Sequence, residues 1–207
     1  MNKVKALIAT LLIGMAMPAA AQYSQLGKKN EFMMKVEAGY LPYIGNIGEA
    51  GDYGHYLNKH HHGADVNVMV GMNISQDWFL GGGAGVGYYF SSHEQAESML
   101  GAQVFVDFDF RPIWKAIMGL DYQPTSIKWA PEVGARVGGS MLLGPSDTYG
   151  TTLTPLVEVY GGLNWYYWYH LNGMRNMSRN WHSFYVTLGV AYMQQTVFLP
   201  IRLGWRW

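Results

Sequence analysis

Three groups of residues have types that could do chemistry. His60-His61-His62, with His55 close before them, carries imidazoles of the kind that bind Zn²⁺ or Ni²⁺. Three adjacent side chains cannot all turn toward one ion from a regular backbone, and no cysteine or carboxylate cluster beside them completes a shell, so no metal site is expected. Tyr53 and Tyr56 lie next to them. Together Tyr53, His55, Tyr56, His60, His61 and His62 read as a solvated surface loop suited to recognition. Ser91-Ser92-His93-Glu94 and His182-Ser183 place nucleophile, base and acid types near one another, as a hydrolase or acyltransferase needs. Adjacency in sequence is not the hydrogen-bonded geometry of a triad, and no Gly-x-Ser-x-Gly elbow is present. There is also no phosphate loop or dinucleotide fingerprint, so neither a catalytic residue nor a cofactor is expected. The third group is a set of charges at alternating positions: Lys35, Glu37, Asp65, Asp107, Asp109, Arg111, Glu132, Arg136, Glu158, Arg202 and Arg206. Held in a narrow enclosure, such charges must pair with opposite signs, either as a closing ion-pair plug or as the gate of a selective pore.

The elements that would hold these charges have a period of two, the signature of a strand whose side chains point alternately to its two faces. Phe32, Met34, Val36, Ala38 and Tyr40 share one face, with Lys35, Glu37 and Gly39 on the other. The same split sets Val66, Val68, Val70, Met72 and Ile74 against Asp65, Asn67, Gly71 and Asn73. It recurs around Leu80–Phe90, Ala102–Arg111, Trp129–Met141, Leu153–Trp165, Phe184–Tyr192 and Val197–Trp207. Every charge in these eight segments lies on one face, and the apolar face carries none. A water-soluble sandwich would bury that apolar face. A membrane barrel would show it to lipid and keep the charges inside.

Three features favour the membrane. Aromatic residues gather at segment ends (Tyr40, Tyr88, Phe90, Phe108, Phe110, Trp165, Tyr167, Trp205, Trp207), as in the girdles of transmembrane barrels. The segments are about ten residues long, the length of a tilted span. Gly81, Gly83, Gly85 and Gly87 leave empty positions on the charged face, which a narrow barrel needs to admit long side chains from the opposite wall. A soluble lipocalin-like barrel would turn its charges outward and is disfavoured. Pro131, Pro155 and Pro200 each remove a ladder donor, so they are expected at strand ends, bulges or the membrane boundary.

The rest of the chain fits export. Met1-Asn2-Lys3-Val4-Lys5 is a basic start, Ala6 to Met17 is apolar, and Pro18-Ala19-Ala20-Ala21 supplies small residues for cleavage before Gln22. The expected organisation is a signal peptide over 1–21, a short periplasmic segment over 22–30 and a barrel over 31–207. With Lys3 and Lys5 removed, the 14 Lys+Arg fall to 12 against 14 Asp+Glu, which argues against a nucleic-acid binder. The chain has no cysteine, hence no disulfide and no lipoprotein anchor, and only 14% charged residues beside 26 Gly, 15 Tyr and 8 Trp. No apolar run after the signal is long enough for a transmembrane helix.

The last segment, Val197-Phe198-Leu199-Pro200-Ile201-Arg202-Leu203-Gly204-Trp205-Arg206-Trp207, resembles the closing strand of an outer-membrane protein. With Leu156-Val157-Glu158-Val159-Tyr160-Gly161-Gly162-Leu163-Asn164-Trp165, it is similar to the small barrels of Bacteroidota, the broad OmpA/OmpX/PorT-like group. The resemblance implies an all-β, closed antiparallel up-and-down transmembrane barrel of eight strands, with both ends in the periplasm. It stops at Trp207, where full-length OmpA continues into a peptidoglycan-binding domain. It also implies that the barrel-assembly machinery reads Gly204, Trp205 and Trp207 as an insertion signal. The far-side loops would be Asn46–Gly63, Ser91–Ser98, Gly144–Thr152 and the tight Gln194-Gln195-Thr196. The near-side turns would be Ser75-Gln76-Asp77, Pro112–Ser126 and Leu171–Arg179. Either long turn could hide a hairpin and make a ten-stranded ring. Members of the group differ in activity. The reading is a non-enzymatic barrel in outer-membrane lipid, closed inside, contacting an envelope protein or surface glycan through its loops. A narrow porin-like channel and a lipid A-modifying enzyme are the alternatives.

Overall fold

The computed structural model describes residues 31–47, 57, 59–74, 78–91, 98–111, 128–143, 153–168 and 181–207. The signal, the segment over 22–30, most of the connecting loops and the residues Tyr53, His55 and Tyr56 lie outside the described residues. Ten strands are present: β1 (Glu31–Leu41), β2 (Tyr43–Asn46), β3 (His61–Asn73), β4 (Trp78–Ser91), β5 (Met99–Phe110), β6 (Lys128–Leu143), β7 (Thr154–Trp168), β8 (Trp181–Met193), β9 (Thr196–Phe198) and β10 (Ile201–Arg206). β1 and β2 are one span interrupted at Pro42, and β9 and β10 are one span interrupted at Leu199-Pro200. The wall is therefore a ring of eight antiparallel spans, closed where β1 pairs with β10 and β2 with β9. β5 pairs directly with β6 and β7 with β8, so no strand from either long turn enters the ring. That removes the ten-stranded alternative. A closed ring gives every backbone donor in the wall a neighbour, which hydrocarbon requires.

The registers fix the tilt. One row of paired residues runs Met34, Val70, Gly82, Val106, Val137, Val157, Tyr192, Val197 and comes back to the first span at Gly45. The row has climbed from the start of β1 into β2, past a bulge between Tyr43 and Gly45. Strands in such a ring must lean steeply to the barrel axis, and side chains far apart in sequence then meet at one level inside.

The predicted faces are the observed ones. Val66, Val86, Val104, Val106, Val137, Val159, Leu188 and Leu203 are exposed on the outside, while their sequence neighbours face inward and are buried or, at Gly85, Gly138 and Gly204, partly buried. Exposed valines and leucines all round a wall with buried arginines inside are the reverse of a soluble protein. They are the pattern of a barrel that spans a membrane. The aromatic residues form two belts. At the end where β1 begins and β10 finishes (the terminal end), Trp78 lies 4.7 Å from Phe108 and 4.5 Å from Phe110, and Trp205 lies 5.3 Å from Phe184. At the far end, Tyr40, Tyr88 and Phe90 cluster. The side chain of Tyr167 lies outside the described residues.

The prolines sit where a missing donor does least harm. Pro155 is the second residue of β7 and Pro131 the fourth of β6. Pro42 and Pro200 mark the two interruptions at the closing seam. Their carbonyls still accept bonds from Leu199 and Gly189, each at 2.9 Å.

The β8–β9 turn is tighter than the sequence suggested. Thr196 belongs to β9, leaving Gln194-Gln195 as a two-residue turn. Both have positive φ, 54° and 59°. That is the conformation a type I′ hairpin demands, and one that costs a residue with a Cβ about 1 kcal/mol. The Gln194 side chain is tied to the wall, but Gln195 is exposed. Gln195→Gly is expected to stabilise the barrel by about 0.5–1 kcal/mol, read as a higher urea midpoint of the gel-mobility shift in detergent.

Candidate functional site

The lumen is the candidate site, and it is built in two layers. The charged layer takes inward positions on β1, β3, β5, β6, β7 and β10 and at Arg111 just after β5, while β4 and β8 contribute no charge to it. Lys35 Nζ contacts Asp107 Oδ2 at 2.5 Å and also binds Asp109, with the Phe79 ring 4.4 Å away. Arg136 forks onto both oxygens of Glu37, its Nη2 donating to Oε2 at 2.9 Å. Its Nε donates to Asp107 Oδ1 at 3.1 Å. The guanidinium is held between the rings of Tyr160 at 4.9 Å and Phe105 at 5.2 Å. Arg202 pairs with Asp65 at 2.9 Å and with Glu158, and its Nε comes within 3.3 Å of Glu37. Arg206 pairs with Glu132 at 2.9 Å and donates to Asn164 Oδ1 at 2.9 Å. Arg111, nearest the terminal end, pairs with Asp109 at 2.8 Å and donates to Asn73 Oδ1 at 2.6 Å.

Neutral groups complete the network. Tyr160 donates to Asp107 at 2.8 Å and Tyr185 to Glu37 at 3.1 Å. Asn67 donates to Glu37 and Asp65, and Gln103 to Asp65 and Asn67. Six carboxylates and five cations are buried together, and all eleven make an ion pair. Desolvated charges are tolerable only when paired and hydrogen-bonded in this way.

The second layer is apolar, which the reading of a polar interior missed. Leu41, Leu57, Tyr89, Met99, Leu142, Leu156, Met193 and Phe198 pack in one buried cluster toward the far end. Tyr89 donates to Met193 Sδ at 3.1 Å and its ring lies 5.8 Å from Phe198. Leu57 comes from the loop after β2, where its carbonyl accepts a bond from Asn46 Nδ2 at 2.8 Å. The signal was present on the charge-bearing side of the strand ends, where Leu41, Tyr89, Met99, Leu142 and Met193 stand at inward positions. Above this layer Gln194 folds inward, donating to Ser140 O at 2.7 Å, and Ser140 Oγ lies 3.2 Å from Thr154 Oγ1. Among the described residues, buried side chains fill the lumen in both layers.

Glycines make room for this filling. A Cβ on Gly85 would overlap Asn67, and one on Gly134 the Tyr160 ring. Gly204 is the same case. It lies against Tyr185, and a Cβ there would sit well inside contact distance of the phenol. Its neighbours Trp205 and Trp207 face lipid in the terminal belt. Gly204→Ala is expected to destabilise the barrel by about 2–3 kcal/mol, and Tyr185→Leu in the same chain to recover more than half. A double-mutant cycle on urea midpoints measures this. Loss without recovery would leave the insertion signal as the only role of Gly204.

The remaining candidates are separated. His61 and His62 are not in the loop but open β3, opposite Ser91 and Phe90 of β4. Strand alternation sends His61 into the lumen and His62 to the outer wall, so the two cannot share an ion. His60 precedes them in a turn, and no group of three metal-ligating residues is found among the described residues. Ser92, His93 and Glu94 lie outside the described residues, as does the His182 side chain. Ser183 faces inward, and its buried hydroxyl has no hydrogen-bond partner among the described residues.

The wall and its filling define a class: an eight-stranded transmembrane β-barrel with a packed lumen. No protein-family model matches the chain, and no curated protein matches it. Among solved structures it is similar to Neisserial surface protein A, with 14% identity and a TM-score of 0.50 over 84% of this chain and 95% of that one. It is also similar to the N-terminal β-barrel domain of Pseudomonas aeruginosa OprF, at 13% identity and a TM-score of 0.47 over 86% and 100%. Ail, the attachment invasion locus protein of Yersinia pestis, follows at 11% identity and 0.38 over 87% and 100%. The likeness to the Neisserial protein is one of fold and does not extend to the Bacteroidota lineage.

Proposed function

We propose that the chain is a non-enzymatic integral outer-membrane protein, a rigid barrel that anchors its far-end loops for contact with an envelope protein or a surface glycan. The observation that carries this reading is the filling of the lumen: eleven paired, buried charges below and a buried apolar layer above. A barrel filled in this way holds its rim still, and rigid scaffolds place recognition on the loops they carry. The fold shared with Neisserial surface protein A supports the same assignment. In this reading the barrel-assembly machinery inserts the chain by its last strand, both ends are periplasmic, and Tyr53, His55 and Tyr56 belong to the exposed surface.

The test has two parts. The protein should fractionate with the outer membrane and migrate differently on gels before and after boiling. Purified and placed in a planar bilayer, it should give no stable conductance. Steady single-channel steps from the folded form would replace this reading with the narrow channel, and altered lipid A mass spectra on overexpression would replace it with the enzyme.

A further inference from the structure

The outer wall across β3 to β6 carries an apolar groove of about 160 Å³. The strand registers build it. Ala84 pairs with Val104 and Val86 with Ala102, so these four outward residues mark the corners of one square on β4 and β5. The two alanines occupy one diagonal and make the floor. The two valines occupy the other diagonal and rise beside it. Met141, opposite Ala102, and Leu153 extend the groove toward the far end.

The floor runs along the membrane normal. Strands lie about 4.8 Å apart and rise about 3.4 Å per residue, so a diagonal of this kind leans about 35° from the strands. Strands in a ring of this size lean about as much from the barrel axis. Rows of paired residues climb toward the far end in passing from β4 to β5, as the row through Gly82 and Val106 does. Ala102 also lies two residues nearer that end than Val104. Both steps rise, and Ala102 stands almost directly above Ala84.

Width and depth select the occupant. Val86 and Val104 are about 7–8 Å apart across the groove, which leaves the width of one polymethylene chain between their methyl groups. A helix about 10–12 Å across cannot enter, nor can the convex wall of a second barrel. The groove is continuous with the lipid-facing wall and lies between the two aromatic belts, where the adjoining medium is hydrocarbon. Lipid tails are as apolar as this wall, so shape and not the hydrophobic effect decides what settles there. A chain in the groove packs against side chains beneath it and on both sides, and a chain on the bare wall packs against those beneath it alone.

We propose that this groove seats one acyl chain of a lipid in the far-end leaflet. The chain enters past Leu153 and Met141, runs over Ala102 and reaches Ala84 near mid-wall. The seat rests on the transmembrane reading of the wall and assigns an ordered lipid to one side of the ring.

The experiment places the full chain in phosphatidylcholine vesicles that carry a phosphatidylcholine with a diazirine midway along one acyl chain. Irradiation fixes that chain where it lies, and peptide mass spectrometry locates the lipid adducts. Leu188 and Ile201, exposed and paired on the opposite side of the ring, give the level for bare wall. Val86 and Val104 are expected to carry about tenfold more adduct than these two, because dispersion contacts on three sides replace those on one. Ala102→Phe fills the groove with another apolar side chain and should bring Val86 and Val104 down to the bare-wall level. Ala84→Phe, at the lower end of the floor, should do the same. Even labelling round the ring, wild-type labelling in both variants, or adducts of Val86 and Val104 with a second copy in place of lipid overturns the seat. In each of those cases the lipid adducts on Leu188 and Ile201 and the heat-dependent gel shift remain, and the barrel reading stands. Loss of the gel shift together with lipid adducts from every outward residue would instead strike the transmembrane reading beneath it.

Discussion

Replacing Arg136 with methionine is expected to cost the folded barrel about 3–5 kcal/mol, the largest loss of any single change in the lumen. Arg136 is bonded to both oxygens of Glu37, to Asp107 at 3.1 Å and reaches Glu158 at 3.8 Å. Methionine fills much of the same space between Phe105 and Tyr160, so the loss is electrostatic and not a cavity. Three buried carboxylates would then share fewer cations, away from water that could screen them. Lysine restores a point charge but not the fork, so Arg136→Lys should recover only part of the loss. Adding Glu37→Gln to Arg136→Met should return more than 1 kcal/mol, since it removes one stranded charge. Urea midpoints of the gel shift and of tryptophan fluorescence in detergent give all four values. An effect below about 0.5 kcal/mol for Arg136→Met would mean that water screens these charges. A wetted lumen is what the channel alternative needs, so one number bears on both stability and function.

The sequence disclosed sidedness but not partnership. A period of two sorts Val66, Val68 and Val70 from Asp65, Asn67 and Gly71 whatever the neighbouring strand does, because the pleat alone sets it. The same logic put Lys35, Glu37, Asp107, Asp109, Glu132, Arg136, Glu158, Arg202 and Arg206 on one face. Which of them meet is decided by the tilt of the strands, a property of the whole ring. Arg136 and Glu37 are 99 residues apart, and Arg202 and Asp65 are 137 apart. No local pattern encodes such pairs. The apolar layer was harder to see for a different reason. Near the far end both faces of a strand are apolar, as at Tyr88-Tyr89 or Leu142-Leu143, and the alternation that separates lipid from lumen fades. Leu57 arrives from a loop, where no periodicity applies. His61 and His62 show the same limit from the other side. Backbone pairing with β4 continues to Ser91 after the hydrophobic alternation has ended, because ladder bonds do not depend on side-chain polarity.

The sidedness itself is open to a sharper trial than inspection. Val106→Arg is expected to destabilise the lipid-embedded barrel by about 2–4 kcal/mol, the cost of a cation near the bilayer midplane. Val106 is 54% exposed and sits midway along β5, between Phe105 and Asp107, which point inward. In a water-soluble protein an arginine at so exposed a position would be close to neutral. Leu100→Arg is the control. Leu100 is 53% exposed on the same outer face of the same strand, but it lies at the far end beside Tyr88. There a long cationic side chain reaches the headgroups, and the expected cost is about 0–1 kcal/mol. Equal exposure with unequal cost is the mark of a wall whose solvent changes with depth. The difference should appear in reversible unfolding from lipid vesicles and shrink in small, deformable micelles. Equal costs for the two variants in vesicles would mean that the valine-bearing face does not meet hydrocarbon, and the membrane assignment would fall with it.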